Sequence, residues 1–275
     1  MLNFRTNKKP IGRQNRTKYL GLIRELAITD FKLKYQGSII GYLWSLMKPL
    51  IIFGVLYLVF NVFVRIGASI PQYPLYLLLG VILWTYFAET TTISTRIIVA
   101  KGDLIRKIFF PRIVLVLSSS IAAFITLVLN LLVVFLFLFL NHINISLFEI
   151  LLFILLILEF YLLSLALAFF LAPLFVKYRD IGHIWDVCLQ VLFYATPIIY
   201  PLSIVPYKFL KLITLSPMTQ IIQDARKVLI THSTNSVINY WKFPWVLIPY
   251  LLPIILFFIG YRFYNKSAGK FAEEV

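Results

Sequence analysis

The sequence lacks the residues on which most enzyme active sites are built. Of its 275 residues, one is cysteine, three are histidine and 11 are acidic, against 26 lysines and arginines. The single cysteine, Cys188, excludes an internal disulfide. The histidines His142, His183 and His232 lie far apart in different predicted loops, so they give no reason to expect a metal site.

Short motifs of catalysis and nucleotide binding are also missing. Gly-x-x-x-x-Gly-Lys-Ser/Thr, Gly-x-Ser-x-Gly, His-Glu-x-x-His and Cys-x-x-Cys do not occur in the sequence. We therefore expect this chain not to be an enzyme, with no catalytic residues, no metal and no cofactor of its own. Because its basic residues cluster beside apolar segments, we also expect no binding of nucleic acid.

Apolar residues dominate what is present. They make up 61% of the chain, compared with roughly 45–50% in ordinary soluble domains. They are arranged in continuous runs of about 20 residues, the length that crosses the hydrocarbon of a bilayer as a helix. The continuous runs disfavour a β-barrel, whose strands alternate. The sequence therefore predicts an all-α integral membrane protein.

The apolar runs predict six transmembrane helices, at about residues 39–64, 74–94, 113–140, 147–176, 184–200 and 243–264. Residues 1–36 are predicted to form a cytoplasmic basic arm and, over 18–36, an amphipathic interface helix. Gly37 and Gly41 either ease the turn into the membrane, the interpretation that we favour, or allow close contact between helices. Residues 265–275 form a short cytoplasmic tail. The basic, interrupted start of the chain does not resemble a signal peptide, so we expect no cleaved targeting segment.

Charge predicts the orientation. Lysine and arginine are concentrated in residues 1–48, 96–112, 177–179 and 262–275, which hold 20 of the 26. Because cytoplasmic loops carry the excess of basic residues, both termini are predicted to be cytoplasmic.

Prolines interrupt the region between the fifth and sixth predicted spans. Pro197, Pro201, Pro206 and Pro217 bound two apolar segments, 202–215 and 218–230, each too short to cross about 30 Å of hydrocarbon. We predict two short re-entrant helices that enter and leave on the same side. An amphipathic loop on the membrane surface remains the alternative.

A basic stretch with an apolar stripe, residues 96–112, separates the second and third spans. It predicts a short helix lying across the mouth of the protein, closed by Pro111. A simple connecting loop is the alternative. The residues of the stripe are Ile97, Ile98, Leu104, Ile105 and Ile108.

Two carboxylates and several aromatic residues fall inside the predicted spans. Glu89 could pair with Arg96, two helical turns along the same face, whereas Glu159 has no obvious partner in the sequence. Structural pairing or interior hydrogen bonding is the expected role of both carboxylates, and a proton relay is the alternative. Aromatic rings at membrane depth either pack in the interior or line a path for sugars, which stack on aromatic faces. The candidates for such a lining are Tyr57, Trp84, Tyr86, Tyr161 and Tyr194.

Five short patterns, in this order and topology, make residues 18–264 resemble a known family. They are Lys34-Tyr35-Gln36-Gly37-Ser38-x-x-Gly41-x-x-Trp44-x-x-x-x-Pro49, Leu104-Ile105-Arg106-Lys107-Ile108-Phe109-Phe110-Pro111, Tyr178-Arg179-Asp180-Ile181, Thr196-Pro197-Ile198-Ile199-Tyr200, and Leu215-Ser216-Pro217-Met218 with Arg226. The chain is similar to the permease subunit of ABC-2-type polysaccharide and polyol phosphate exporters, such as those of O-antigen and teichoic acid. Ser216 departs from the asparagine that the family often has before this proline.

The resemblance implies an assembly and a mechanism. Two copies of the chain would form a channel in the bacterial cytoplasmic (inner) membrane, and two copies of an ABC ATPase, which binds ATP and Mg, would attach below. Residues 97–110 would be the coupling helix, 177–183 a second contact, and 202–230 the gate. The substrate would be a lipid-linked glycan, and membrane lipids would surround the dimer.

Three groups of candidate residues follow. The ATPase-coupling residues would be Ile97, Ile98, Lys101, Leu104, Ile105, Arg106, Lys107 and Ile108. Besides the five aromatic residues, the channel or gate candidates are Pro197, Tyr200, Leu212, Pro217 and Ile222. The head-group candidates are Lys32, Lys34 and Lys48.

Other functions fit the sequence less well. An exporter of a drug or a lipid with the same architecture is the nearest alternative. An ion-driven carrier would need internal repeats or paired buried ionisable groups. A membrane enzyme would need a cluster of catalytic residues.

Overall fold

The computed structural model describes residues 13–37, 41–108 and 110–271, and the α-helices in these ranges are α1 to α10. Most of the predicted basic arm, residues 38–40 at the predicted start of the first span, Phe109 of the predicted coupling helix and residues 272–275 lie outside the described residues. The predicted all-α membrane class is confirmed, since the regular structure of the described residues is helical throughout.

The helix bounds follow the apolar runs closely. In chain order the helices are α1 (Arg13–Tyr35), α2 (Leu43–Tyr57), α3 (Tyr73–Ala100), α4 (Gly102–Lys107), α5 (Ile113–Leu140), α6 (Leu147–Lys177), α7 (Ile181–Ala195), α8 (Tyr207–Thr214), α9 (Pro217–Leu229) and α10 (Leu247–Ser267).

Among the described residues, five helices are long and apolar enough to cross a membrane. They are Leu43–Phe63, in which a wider helical turn extends α2, together with α3, α5, α6 and α10. They correspond to five of the six predicted spans. The chain is therefore a multi-pass membrane protein.

The helix at the predicted fifth span, α7, differs from the prediction of 184–200. It has 15 residues, about 22 Å at 1.5 Å per residue, which is shorter than the hydrocarbon layer of about 30 Å. The helix ends at Ala195 because Pro197 cannot continue it. The carbonyls of Pro197 and Ile198 accept hydrogen bonds from another helix instead.

Helix α3 is the centre of the bundle. In an apolar stretch of 18 residues within α3, 72% of the residues are buried inside the protein, against 6% in the corresponding stretch of α2 and its extension. It packs on α5 and α6 and also contacts α2, α7 and α9. Polar residues such as Thr90, Thr91 and Ser94 are therefore accommodated in this span, because neighbouring helices shield them from lipid.

One end of the bundle carries many basic residues and is called the basic end: Lys101, Arg106, Lys107, Arg112, Lys177 and Lys266. A cluster of buried apolar side chains stabilises this end. Here α1 packs on α5, with Ala27 buried. Tyr264 of α10 and Phe271 beyond it are also buried in this cluster. Arg112 donates a hydrogen bond to the carbonyl of Ala268, so the end of α10 is attached to the start of α5.

The chain turns sharply between α1 and α2. Gly37 and Gly41 have φ of +79° and +57°, the left-handed region that side chains disfavour. A Cβ added at Gly37 would meet no atom within 4 Å, so this glycine is not required by a close helix contact. Both observations agree with the predicted turn.

Candidate functional site

A fully buried arginine joins three parts of the chain at the end of the bundle opposite the basic end. Arg226 of α9 is 0% exposed. Its Nε donates to the carbonyl of Tyr76 at 3.0 Å, its Nη1 to that of Pro197 at 2.7 Å and its Nη2 to that of Ile198 at 2.6 Å. The guanidinium carbon also lies 3.4 Å from the centre of the Tyr76 ring. We call this arrangement the Arg226 junction.

Neighbouring residues strengthen the Arg226 junction. The hydroxyl of Tyr73 donates to the carbonyl of Ile199 at 3.0 Å, and that of Tyr76 to the carbonyl of Tyr200 at 3.3 Å. Gly80 leaves room for the guanidinium, since a Cβ there would lie 2.4 Å from its Nη2. The segment after α7 is therefore held against α3 and α9 by backbone carbonyls, which regular helices would have used internally.

A second polar cluster lies on α9 close by. Asp224 accepts hydrogen bonds from the Tyr250 hydroxyl at 2.6 Å, from the Gln220 amide at 3.0 Å and from the Ser236 hydroxyl. The same Gln220 amide nitrogen lies 3.4 Å from a carboxylate oxygen of Glu159. These contacts attach α9 to α6 and α10, and Gln220 supplies the partner that the sequence does not reveal for Glu159.

A small cavity of about 180 Å³, with charged and polar residues in part of its wall, lies where α2 begins, between α2, α3 and α5. Asn130 donates from α5 to the Ser45 carbonyl on its wall at 3.3 Å. The residues around the cavity include two head-group candidates, one aromatic candidate and the carboxylate Glu89. Its charged and polar wall consists of Lys34, Ser45, Lys48, Thr85, Tyr86, Glu89, Thr126 and Asn130.

The predicted pairing of Glu89 with Arg96 is wrong. Glu89 forms an ion pair with Lys34, at the end of α1. Arg96 instead pairs with Asp186 of α7 at 2.9 Å. Both partners come from distant parts of the sequence, because tertiary packing places the end of α1 and part of α7 beside α3. Lys32, the third head-group candidate, does not line the cavity and is exposed on α1.

The aromatic candidates do not share one surface within the chain. Trp84 is buried, with ring centres 5.6 Å from both Phe87 and Phe193. Tyr86 and Tyr161 pack on either side of Phe124. These three residues pack between helices of the chain.

Of the two further aromatic candidates, Tyr57 packs at the edge of the same core and Tyr194 lies at the surface. Tyr57 lies against Tyr73, with ring centres 6.4 Å apart, and Tyr194 is 69% exposed. The hydroxyl of Tyr200 donates to the Tyr194 carbonyl at 2.9 Å, which stabilises the chain just after α7.

The gate candidates are divided between buried and exposed positions. Pro197 and Ile222 are buried at the Arg226 junction and in the adjacent core. Pro217 opens α9, where a proline is tolerated because its nitrogen needs no helical partner. Leu212 of α8 is 70% exposed. The gate candidate on α8 therefore lies at the surface, whereas Ile222 on α9 lies in the core.

The predicted coupling stretch consists of two helices. Helix α3 continues to Ala100, so Ile97 and Ile98 belong to a spanning helix and are buried. Their side chains are not accessible to a partner, so the prediction that Ile97 and Ile98 contact the ATPase is wrong. The physical reason is that α5 and α6 pack around the end of α3 and extend its core.

The short helix α4 forms the outer part of this stretch. Leu104 and Ile105 are half-buried against the cluster at the basic end, whereas Arg106, Lys107 and Ile108 are exposed. Lys101, in the elbow before α4, donates to Asp30 of α1 at 2.6 Å. Helix α4 is thereby connected to α1, and its exposed residues are Asp103 in its first turn and Arg106 and Lys107 in its last turn.

The predicted second contact, residues 177–183, lies at the same end. Arg179 stacks on Phe175, with the guanidinium carbon 5.4 Å from the ring centre. Trp185, just beyond it, donates to the Thr91 hydroxyl of α3 at 3.0 Å. The start of α7 is therefore fixed to α3 rather than projecting freely.

Polar residues within the apolar runs are what the sequence analysis missed. Asn130 and Thr126 line the cavity between α2, α3 and α5, and Asp224 and Gln220 organise α9. A search of the spans for uncharged polar side chains would have found Asn130 and Thr126. Within the described ranges, no group of three or more His, Cys, Asp or Glu side chains is placed to hold a metal ion.

Comparisons with known proteins point to one family. The sequence profile described as "ABC-2 type transporter" matches residues 22–230. The chain is 29% identical over 258 residues to a protein of Klebsiella pneumoniae named O-antigen export system permease protein RfbA, and the alignment covers 92% of this chain and 96% of the relative. A protein of the same name from Myxococcus xanthus is 29% identical over 216 residues, covering 78% of this chain and 82% of the relative.

Proposed function

Because the chain belongs to the ABC-2 type transporter family, we propose that it is the membrane subunit of an exporter of a lipid-linked polysaccharide, an O-antigen or a teichoic-acid-like glycan. The observation that carries this proposal is the end-to-end similarity to relatives named for O-antigen export. Family membership makes the chain a transport subunit of the inner membrane and implies an ABC ATPase partner. Hydrolysis of ATP by that partner would drive the export.

In the proposed topology both termini are cytoplasmic and the basic end faces the cytoplasm. The excess of lysine and arginine at that end supports this orientation. Helix α7 and the segment up to Tyr200 would complete a sixth crossing. Helices α8 and α9 would be re-entrant. This is supported by the contact of Gln220 with Glu159, which lies about 18 Å along α6 from Leu147 and would therefore be at membrane depth if α6 spans the bilayer.

We propose that two copies of the chain enclose the channel. Helix α2 supports this, because so little of it is buried within one copy. Ile51, Val55 and Leu58 are among its exposed apolar residues. Helix α7 likewise exposes Val187 and Val191. In the membrane these faces would meet lipid, the second copy or the channel.

The cavity between α2, α3 and α5 is the proposed site for the phosphate head of the substrate. Lys34 and Lys48 bring positive charge there, while Tyr86 supplies a hydroxyl group suited to phosphate and sugar oxygens. The Lys34–Glu89 ion pair would have to open, so a phosphate would compete with the Glu89 carboxylate for the same ammonium group.

Lys48→Gln should raise the concentration of lipid-linked glycan needed for half-maximal export by about tenfold, since a charged hydrogen bond to phosphate contributes about 1.5–3 kcal/mol. Lys32→Gln is the matched control: it removes the same charge from a residue that does not line the cavity. Export in proteoliposomes at several substrate concentrations measures both. Equal effects of the two substitutions would argue against a head-group site in this cavity.

The surface for the ATPase is proposed to be α4 with the adjoining start of α7. Exposed Arg106, Lys107 and Ile108 would enter a groove of the ATPase. Lys101 and Asp30 would pass the movement to α1, and the elbow between α4 and α3 would pass it to the central helix. Nothing covalent is required of this chain, since binding of ATP to the partner would shift a two-state equilibrium of the channel.

Deletion of the gene that encodes this chain in its host cell tests the proposed function. Lipid-linked glycan should then accumulate on the cytoplasmic face, surface glycan should disappear, and the wild-type chain should restore it. Unchanged surface glycan together with altered sensitivity to a drug would instead identify a drug exporter of the same architecture.

A further inference from the structure

A cavity of about 410 Å³ opens between the ends of α6 and α10 at the basic end. The two helices touch deeper in the bundle, where a Cβ added to Gly260 would lie 2.8 Å from the Ala166 carbonyl. Beyond that contact they leave a space to which each helix contributes at least one apolar residue and one lysine. Its main residues are Pro173, Leu174, Lys177, Tyr178, Phe263 and Lys266.

We propose that this cavity binds an anionic phospholipid, with the lipid phosphate between Lys177 and Lys266. Each lysine lies in the last turn of its helix, so the two ammonium groups border the cavity from opposite helices. The eight residues that line the cavity, all of them described, include no acidic side chain. The hydroxyls of Tyr178 and Ser267 add hydrogen-bond donors suited to phosphate oxygens.

The position favours a lipid over a soluble anion. Both helices are long enough to cross the membrane, and the cavity lies where they end. Pro173, Leu174 and Phe263 form an apolar wall that suits the start of an acyl chain. Basic pockets between helices on the cytoplasmic side attract anionic head groups, at about 1 kcal/mol per lysine near the surface. The inference rests on the proposed orientation but does not depend on glycan export.

Lipid retained by the purified full-length chain tests the assignment. The chain in detergent is mixed with equal amounts of phosphatidylglycerol and phosphatidylcholine, and bound lipid is counted by native mass spectrometry. We expect the wild type to retain phosphatidylglycerol over phosphatidylcholine by at least about fivefold. The double substitution Lys177→Gln, Lys266→Gln should lose this preference, and Lys177→Arg, Lys266→Arg should keep it.

The control removes two lysines elsewhere. Lys208→Gln with Lys211→Gln alters exposed lysines of α8 and should leave the preference intact. A preference that survives the loss of Lys177 and Lys266, or that the α8 control also abolishes, would overturn the site. Displacement of the lipid by excess glycerol 3-phosphate would show a site for soluble phosphate and overturn the lipid assignment. Because binding is measured in detergent, failure here leaves the proposed export function untouched.

Discussion

Arg226→Lys should destabilise the folded chain by about 2–4 kcal/mol and reduce export at least about tenfold. Lysine keeps the charge, but its single ammonium group cannot reach the three carbonyls of Tyr76, Pro197 and Ile198 with the geometry of a guanidinium. Buried carbonyls left without donors carry the full cost of desolvation. Thermal unfolding in detergent measures the stability, and surface glycan in cells measures export.

Gly80→Ala tests the Arg226 junction by a change in a neighbouring residue instead of in the arginine itself. The added methyl group would lie 2.4 Å from Nη2 of Arg226 and must displace the guanidinium, so this substitution should weaken export in the same way. Two matched controls make the same chemical changes elsewhere. Arg65→Lys alters an exposed arginine, and Gly54→Ala adds a Cβ that meets no atom within 4 Å. Wild-type stability and export in both junction variants would contradict a structural role for this arginine.

Arg106→Glu combined with Lys107→Glu should separate the chain from its ATPase and abolish export while the amount of protein in the membrane stays normal. Both side chains are exposed at the end of α4. Reversing their charge therefore changes the surface proposed to bind the ATPase and leaves the core of the chain unaltered. Reversed charges across an interface are repelled and slow association. Leu104 and Ile105 are less suitable targets, because they also pack against the cluster at the basic end.

The control for this variant reverses two charges far from α4. Lys208→Glu with Lys211→Glu makes the same change on exposed residues of α8, which the proposed topology places on the other side of the membrane. Copurification of the ATPase with each variant distinguishes the two surfaces. A charge-reversed α4 that still retains the ATPase would show that the partner binds elsewhere.

The spanning helices could be predicted from the sequence because their lengths are set by the membrane. Long apolar runs such as 113–140 and 147–176 leave little choice, and α5 and α6 follow them to within a residue. Helix α7 was harder, since its apolar run continues past Ala195. The carbonyls of Pro197 and Ile198 accept hydrogen bonds from Arg226 instead of continuing the helix. Arg226 lies far along the chain, so no local sequence pattern reveals this contact.

The polar contacts were the least predictable part of the site. A helical-face argument joined Glu89 to Arg96, but the folded chain gives each a partner from another helix. The same limit applies to Ile97 and Ile98, where local amphipathicity predicted a surface and packing of α5 and α6 produced a core. Lys34 and Lys48, two of the three head-group candidates, line the same cavity near the turn into α2, and their contact with a head group stays a prediction.

The hydrolysis of ATP by the complex tests the central claim most directly. The chain is copurified with its ABC ATPase, reconstituted in proteoliposomes, and assayed with and without the lipid-linked glycan. We predict a complex with two copies of each subunit whose ATPase rate rises with the glycan and whose glycan moves across the bilayer when ATP is hydrolysed. A chain that retains no ATPase, or a complex whose hydrolysis is indifferent to the glycan, would contradict the account.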